Sequence, residues 1–220
     1  GRPSPENNNG QRKAVETSVR RKLSIITGGP GSGKTTTVIG VLLLNLYRFY
    51  TSKGYAPKIE LLAPTGKAAR RLGESVKASL SHSLSLLGDN YRAIEKFVPQ
   101  RAYTVHKLLN TIAWEANTSP TQSKRILGAD LIILDEASMA DLSLMHDLLS
   151  RIKPDTKVVI VGDKDQLASV ESGAVLADIF DASCAATPNL DQASVRLTGS
   201  FRFDSKGGIG RLARAVTAGD

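Results

Sequence analysis

Gly28-Gly29-Pro30-Gly31-Ser32-Gly33-Lys34-Thr35 has the spacing Gly-x4-Gly-Lys-Thr. These residue types in this order suit a cluster of phosphate charges. Glycines let a loop take positive φ and bring its backbone close to a ligand, so that N–H groups converge on an anion. Pro30 has no N–H, which leaves Gly31, Ser32, Gly33, Lys34, Thr35 and Thr36 as the expected donors. Lys34 would supply a cation to the outer phosphates of a nucleoside triphosphate, and the Thr35 hydroxyl a hard oxygen ligand for Mg2+. A chance glycine turn would not need the right flanks. Here Leu23–Ile26 reads as a short apolar strand before the loop, and 36–50 as a helix after it.

Two further groups sit at the ends of apolar runs. Asp135-Glu136 follows Leu131-Ile132-Ile133-Leu134. A strand ending there would carry Asp135 to the Mg2+ shell and Glu136 to an attacking water. Paired acids also suit a helix start, and the upstream phosphate loop favours the catalytic reading. Gly162-Asp163-Lys164-Asp165-Gln166 follows Val158–Val161. Alone it is an ordinary turn. After a buried strand it reads as a γ-phosphate sensor, because the Gln166 amide can donate to phosphate and accept from water.

These groups need a scaffold, and the pattern supplies one. Leu23–Ile26, Ile59–Ala63, Leu131–Leu134 and Val158–Val161 are short and continuously apolar, as strands covered on both faces are. Helical stripes alternate with them: Ala69, Leu72, Val76 and Leu80 within 67–80, then Leu142, Met145, Leu148, Leu149 and Ile152. The two methionines read as core residues. The alternation predicts an α/β fold, a mostly parallel sheet flanked by helices, with functional loops at the C-terminal strand ends. Residues 110–129 break the rhythm and read equally as a small β-hairpin insertion or an irregular loop. Residues 1–10, rich in Pro, Asn and Gly, read as a disordered tail or remnant. Ile209, Leu212, Ala213 and Val216 repeat with helical spacing just before the end.

Composition narrows the partners. The 220 residues suffice for one large α/β domain. There are 29 Lys+Arg against 21 Asp+Glu, a net charge of +8, with a pI near 9.7. That balance favours a polyanion, nucleic acid first, although a basic nucleotide pocket on a solubilising surface would give the same count. A lone cysteine, Cys184, excludes an internal disulfide and fits a reducing cytoplasm. No apolar run is long enough for a bilayer, so no membrane partner is expected.

Taken together, the strings GGPGSGKTTT, APTGKAARRL, TVHKLL, LDEASMADL, VGDKDQLASVESGAVLADI and SFRFDSKGGIGRLARAV, with Gln11 upstream, resemble the first RecA-like motor lobe of superfamily 1 DNA helicases. The nearest resemblance is to the RecD family, the alpha subunits of exodeoxyribonuclease V. It spans 11–220, which would form the ATP-binding lobe. It implies an ATP-dependent 5′-to-3′ helicase with ATP and Mg2+ as cofactors. Single-stranded DNA, duplex DNA ends and RecB- and RecC-like subunits would be its partners.

By resemblance Gln11 would read adenine, Arg202 would meet the γ-phosphate, and Pro64, Thr65, Gly66, Lys67, Thr104, Val105 and His106 would line a single-strand track. The nucleotide set is Gln11, Gly28, Gly29, Pro30, Gly31, Ser32, Gly33, Lys34, Thr35 and Thr36. Thr35 and Asp135 would serve the metal. Lys34, Glu136, Gln166 and Arg202 would serve catalysis. The family's second lobe has no counterpart after Asp220, so low turnover is expected of this chain alone. His106 also fits a structural role, and Trp114 either stacks on a base at a separation pin or packs the insertion. A stand-alone or relaxase-associated helicase, a nucleotide switch without turnover, and a small-molecule kinase are the rival readings.

Overall fold

The run Leu131–Leu134 is buried at every position, which only a strand covered on both faces achieves. It is β4 of an all-parallel sheet whose other strands are β1 (Leu23–Gly28), β2 (Ile59–Ala63), β3 (Tyr103–Thr104), β5 (Lys157–Gly162) and β6 (Ser194–Leu197). The order across the sheet is β3-β2-β4-β5-β1-β6. The helices are α1 (Pro5–Arg20), α2 (Lys34–Lys53), α3 (Gly66–Leu87), α4 (Val105–Glu115), α5 (Leu142–Leu149) and α6 (Val175–Cys184). The computed structural model describes residues 5–55, 57–87, 94–115, 126–166, 175–185 and 193–198.

Alternate strand residues serve two cores. Ile26, Leu61, Leu131, Ile133, Val159 and Val161 pack on one face with Val38, Val41, Leu42 and Leu46 of α2 and Leu72 and Val76 of α3. Ile25, Leu62, Ile132, Leu134, Val158 and Ile160 pack on the other with Leu109 of α4, Met145 and Leu148 of α5, and Phe180 of α6. Each such buried aliphatic side chain contributes about 1.5–3 kcal/mol.

α1 is held more specifically. A Cβ at Gly40 would stand 3.1 Å from Val15 Cγ2, so α1 and α2 cross closely there. Asn45 Nδ2 donates to Ser18 Oγ at 3.0 Å in the same interface. Lys157 Nζ donates to the carbonyls of Ser18, Val19 and Arg21 at 2.7–3.0 Å, satisfying acceptors at the end of α1.

Several expectations are corrected. The disordered tail over 1–10 does not hold from Pro5 onward, where α1 begins. Its polar sequence hides this, because Ala14 and Ser18, both small, form its buried face. Asn110–Glu115 is the second half of α4 rather than a hairpin arm, since Val105 and Leu109 bury one helical face. Residues 116–125 lie outside the described residues, and Leu127 bridges to Ile152 in parallel. Met145 is core, but Met139 is 48% exposed because the turn that carries it leaves the sheet end. Among the described residues no helix is long and apolar enough to cross a membrane.

Candidate nucleotide-binding and catalytic site

β4, β5 and β1 are neighbours, with Leu134 opposite Ile160 and Thr27 opposite Gly162. Their C-terminal ends therefore bring Asp135-Glu136, the Gly162–Gln166 loop and the glycine loop to one rim of the sheet.

The glycine loop is built tightly. Gly31 and Gly33 sit at φ 78° and 87°, which side chains rarely tolerate. A Cβ on Gly28 would stand 2.5 Å from Ser32 Oγ and 2.9 Å from Leu197 Cβ. Ser32 Oγ is buried with no hydrogen-bond partner among the described residues. The Ser32 N–H, expected to face a phosphate, instead donates to Gly29 O at 3.2 Å. The Lys34 ammonium lies over the loop and donates to Gly28 O and, at 3.1 Å, to Gly29 O. Thr35 and Thr36 are exposed at the start of α2. Gln11 reaches in from α1, its Nε2 donating to Gly33 O at 3.4 Å.

Asp135 lies between burial and rescue. Burial pushes its carboxyl up to about 6 from an ordinary 3.8. The Glu136 N–H, donating at 2.9 Å, and the Lys34 charge oppose that rise, while the Glu136 charge adds to it. Glu136 is the one described non-glycine residue with positive φ, 53°. That conformation turns the chain from β4 into the Ala137–Met139 turn. A Cβ on Gly162 would come within 3.0 Å of the Ser138 N, so the turn presses directly on β5.

The sensor loop is tied on three sides. The Lys164 N–H donates to Thr27 Oγ1 at 2.9 Å, fastening it to β1. Ser138 Oγ donates to Gln166 Oε1 at 3.0 Å, fastening it to the acidic turn. Arg196 of β6 pairs with Asp165 at 2.6 Å. None of these partners was legible as a site residue, because each depends on which strands become neighbours.

The residues assigned to a strand track meet farther along the same rim, at the ends of β2 and β3 next to β4. β2 and β3 pair through Leu62–Tyr103 and Ala63–Thr104. Thr65 Oγ1 accepts from the Ala68 N–H at 3.3 Å, and Thr104 Oγ1 from the Lys107 N–H at 3.1 Å. Both hydroxyls thus cap helices, and the N-termini of α3 and α4 stand side by side. Pro64 is half-buried, while Gly66, Lys67 and His106 are exposed. Val105 is a correction: the residue is fully buried beneath the start of α4 and is not at the surface. Arg202 lies outside the described residues, as does the side chain of Trp114.

Residues 11–172 match the family model described as an AAA domain. The chain belongs to that family. It is RecD-like over nearly its whole length. It is 37% identical to the RecBCD enzyme subunit RecD of Haemophilus influenzae, over 95% of this chain and 35% of that protein. The RecD subunit of Mycobacterium tuberculosis H37Rv is 38% identical, over 96% of this chain and 34% of that protein. The ATP-dependent RecD2 DNA helicase of Deinococcus radiodurans is 30% identical, over 96% of this chain and 24% of that protein. The chain thus spans about a third of the length of the RecD proteins it matches. Among solved structures, one titled for DNA unwinding at forked duplexes by two coordinating Pif1 helicases aligns with a TM-score of 0.51 and 18% identity. It covers 93% of this chain and 46% of that one, and it supports the RecA-like parallel-sheet fold.

The AAA fold implies a bound nucleoside triphosphate with Mg2+, and the residues present fit one. The left-handed Gly31 and Gly33, the crowded Gly28 and the orphaned Ser32 hydroxyl form a loop suited to phosphate. The Asp135 carboxylate and the Thr35 hydroxyl are hard oxygen donors that suit Mg2+, which takes few protein ligands and keeps phosphate and water.

Proposed function

We propose that this chain is the ATP-binding motor lobe of an ATP-dependent 5′-to-3′ DNA helicase of the RecD type. It would work in the cytoplasm with RecB- and RecC-like subunits at duplex DNA ends. The observation that carries this reading is the meeting of the glycine loop, Asp135-Glu136 and Gln166 at adjacent strand ends, with two helix N-termini beside them.

Mg2+ would neutralise charge on the phosphates. Thr35 and Asp135 would hold it. The N–H groups of Gly31, Gly33, Lys34, Thr35 and Thr36 would orient the phosphates, and Lys34 would exchange its loop carbonyls for them. Gln11 would meet the adenine. Glu136 would hold water and take its proton. Gln166, its amide oriented by the Ser138 hydroxyl at Oε1, would donate its Nε2–H to the γ-phosphate. Arg202 would add positive charge to the transition state. Phosphates of a single strand would meet the N-termini of α3 and α4, with Pro64, Gly66, Lys67 and His106 at the surface and Thr65 and Thr104 shaping it.

Similarity to RecD2 supports a second arrangement, a motor acting without partner subunits. Co-purification with RecB- and RecC-like chains distinguishes the two. The test of the motor itself is Mg2+-ATP hydrolysis by the full-length protein with and without oligothymidylate. Strong stimulation, lost in Lys34→Ala, is expected. Hydrolysis indifferent to DNA would overturn the motor reading in favour of a nucleotide switch.

A further inference from the structure

β3 has only two residues and pairs only with Leu62 and Ala63 of β2. Among the described residues no strand covers the outer edge of β2 at Ile59–Leu61. A cavity of 590 Å3 opens there, below α4 and beside the segment that enters β4. This volume lies in the range of pockets that hold small organic ligands.

Its lining has a definite chemistry. Lys58, Arg101 and Lys107 surround a single carboxylate, Glu60. Lys58 already engages Glu60 at 3.7 Å. Arg101 and Lys107 are exposed and have no acidic partner among the described residues. Lys107 Nζ stands 5.1 Å from the centre of the Tyr103 ring. Ile126 is 55% exposed at the same cavity. Uncompensated cations beside an aromatic face and an exposed aliphatic residue match a phosphate joined to a planar base.

We propose that this edge cavity binds one nucleotide of a single nucleic-acid strand. Its phosphate meets Arg101 and Lys107, and its base lies against Tyr103 and Ile126. Glu60 keeps the inner end negative and so leaves the phosphate at the mouth. Tyr103 and Lys107 of its lining flank Thr104–His106 in sequence, so the strand would pass from the helix N-termini down the open edge of the sheet. This inference rests on the motor reading, whose track it extends.

The test is anisotropy of fluorescein-labelled oligothymidylate with the full-length protein across a salt series. Arg101→Ala/Lys107→Ala is expected to bind about ten-fold more weakly at low salt, with the slope of log affinity against log salt reduced by about 1. Tyr103→Leu is expected to lose about ten-fold with its slope unchanged. ATP affinity and melting temperature should match the unaltered protein in the double variant, whose changes are on the surface. If the double variant folds and keeps both affinity and slope, the cavity proposal falls and the motor reading stands. Failure of the unaltered protein to bind oligothymidylate would remove both.

Discussion

Gly28 and Gly29 are neighbours in the same motif, yet the structure assigns them opposite tolerances. A Cβ on Gly28 would lie 2.5 Å from Ser32 Oγ, 2.9 Å from Leu197 Cβ and 3.0 Å from Leu197 O. The last is backbone of β6, paired with Gly28 itself, so β1 and β6 must part or the loop must shift. A Cβ on Gly29 would meet nothing within 4 Å, and its φ is not positive. Overpacking a tight site costs about 1–3 kcal/mol. At about 2–4 °C per kcal/mol for a chain of this size, Gly28→Ala should melt about 2–12 °C lower. Gly29→Ala should stay within about 0.5 kcal/mol, and its less flexible unfolded chain works in its favour. Urea and thermal unfolding of the nucleotide-free full chain, followed by circular dichroism, measures both. Equal destabilisation by the two variants, or a silent Gly28→Ala, would refute the steric argument.

Three other outcomes are expected. Glu136→Gly relieves a left-handed non-glycine residue, so the unfolding free energy from urea titration should hold or rise by up to about 1 kcal/mol while hydrolysis disappears; a clear loss of stability would contradict the strain. Burial raises the Glu60 carboxyl above its ordinary 4.5, so the native state holds a proton more readily than the unfolded chain and stability falls as pH rises through that window. Glu60→Gln should therefore gain stability relative to the unaltered protein at pH 7 and not at pH 4, read from paired urea midpoints. Lys157→Met strips donors from three carbonyls at the end of α1 and should cost about 1–3 kcal/mol. Hydrogen exchange should quicken across α1, and ATP affinity should fall if that helix presents Gln11.

What could be read from sequence follows from how each segment is buried. β1, β2, β4 and β5 lie inside the sheet, so apolar residues occupy both faces and the runs are unmistakable. β6 is an edge strand whose Ser194 and Arg196 face outward, and β3 is two residues long; neither gives an apolar run. α1 packs through Ala14 and Ser18, too small to stand out among its polar neighbours. Val105 shows the converse error. Its place in a DNA-track motif suggested contact, but the same position is the first core residue of α4.

The chemistry-bearing letters were legible because glycine, lysine and acid spacing is local. Their mutual geometry was not, because it arises between strands distant in sequence. Gln166 illustrates the difference. From type alone its amide can both donate and accept. The 3.0 Å bond from Ser138 takes one of the two acceptor positions on Oε1 and fixes which end of the amide is left to donate. Ser138 belongs to the turn that Glu136 begins, and Gly162 lets that turn press on β5. A shift of the acidic turn must therefore be felt at Gln166. Arg196–Asp165 adds little energy of its own, about 0–1 kcal/mol for so exposed a pair, but it fixes the loop from the opposite side. With Thr27 holding the Lys164 N–H, the loop has little freedom except at Gln166. Coupling between the two groups thus runs through this side-chain hydrogen bond and the packing of the turn on β5. Ser138→Ala should loosen that coupling while leaving the strand register and the glycine loop intact.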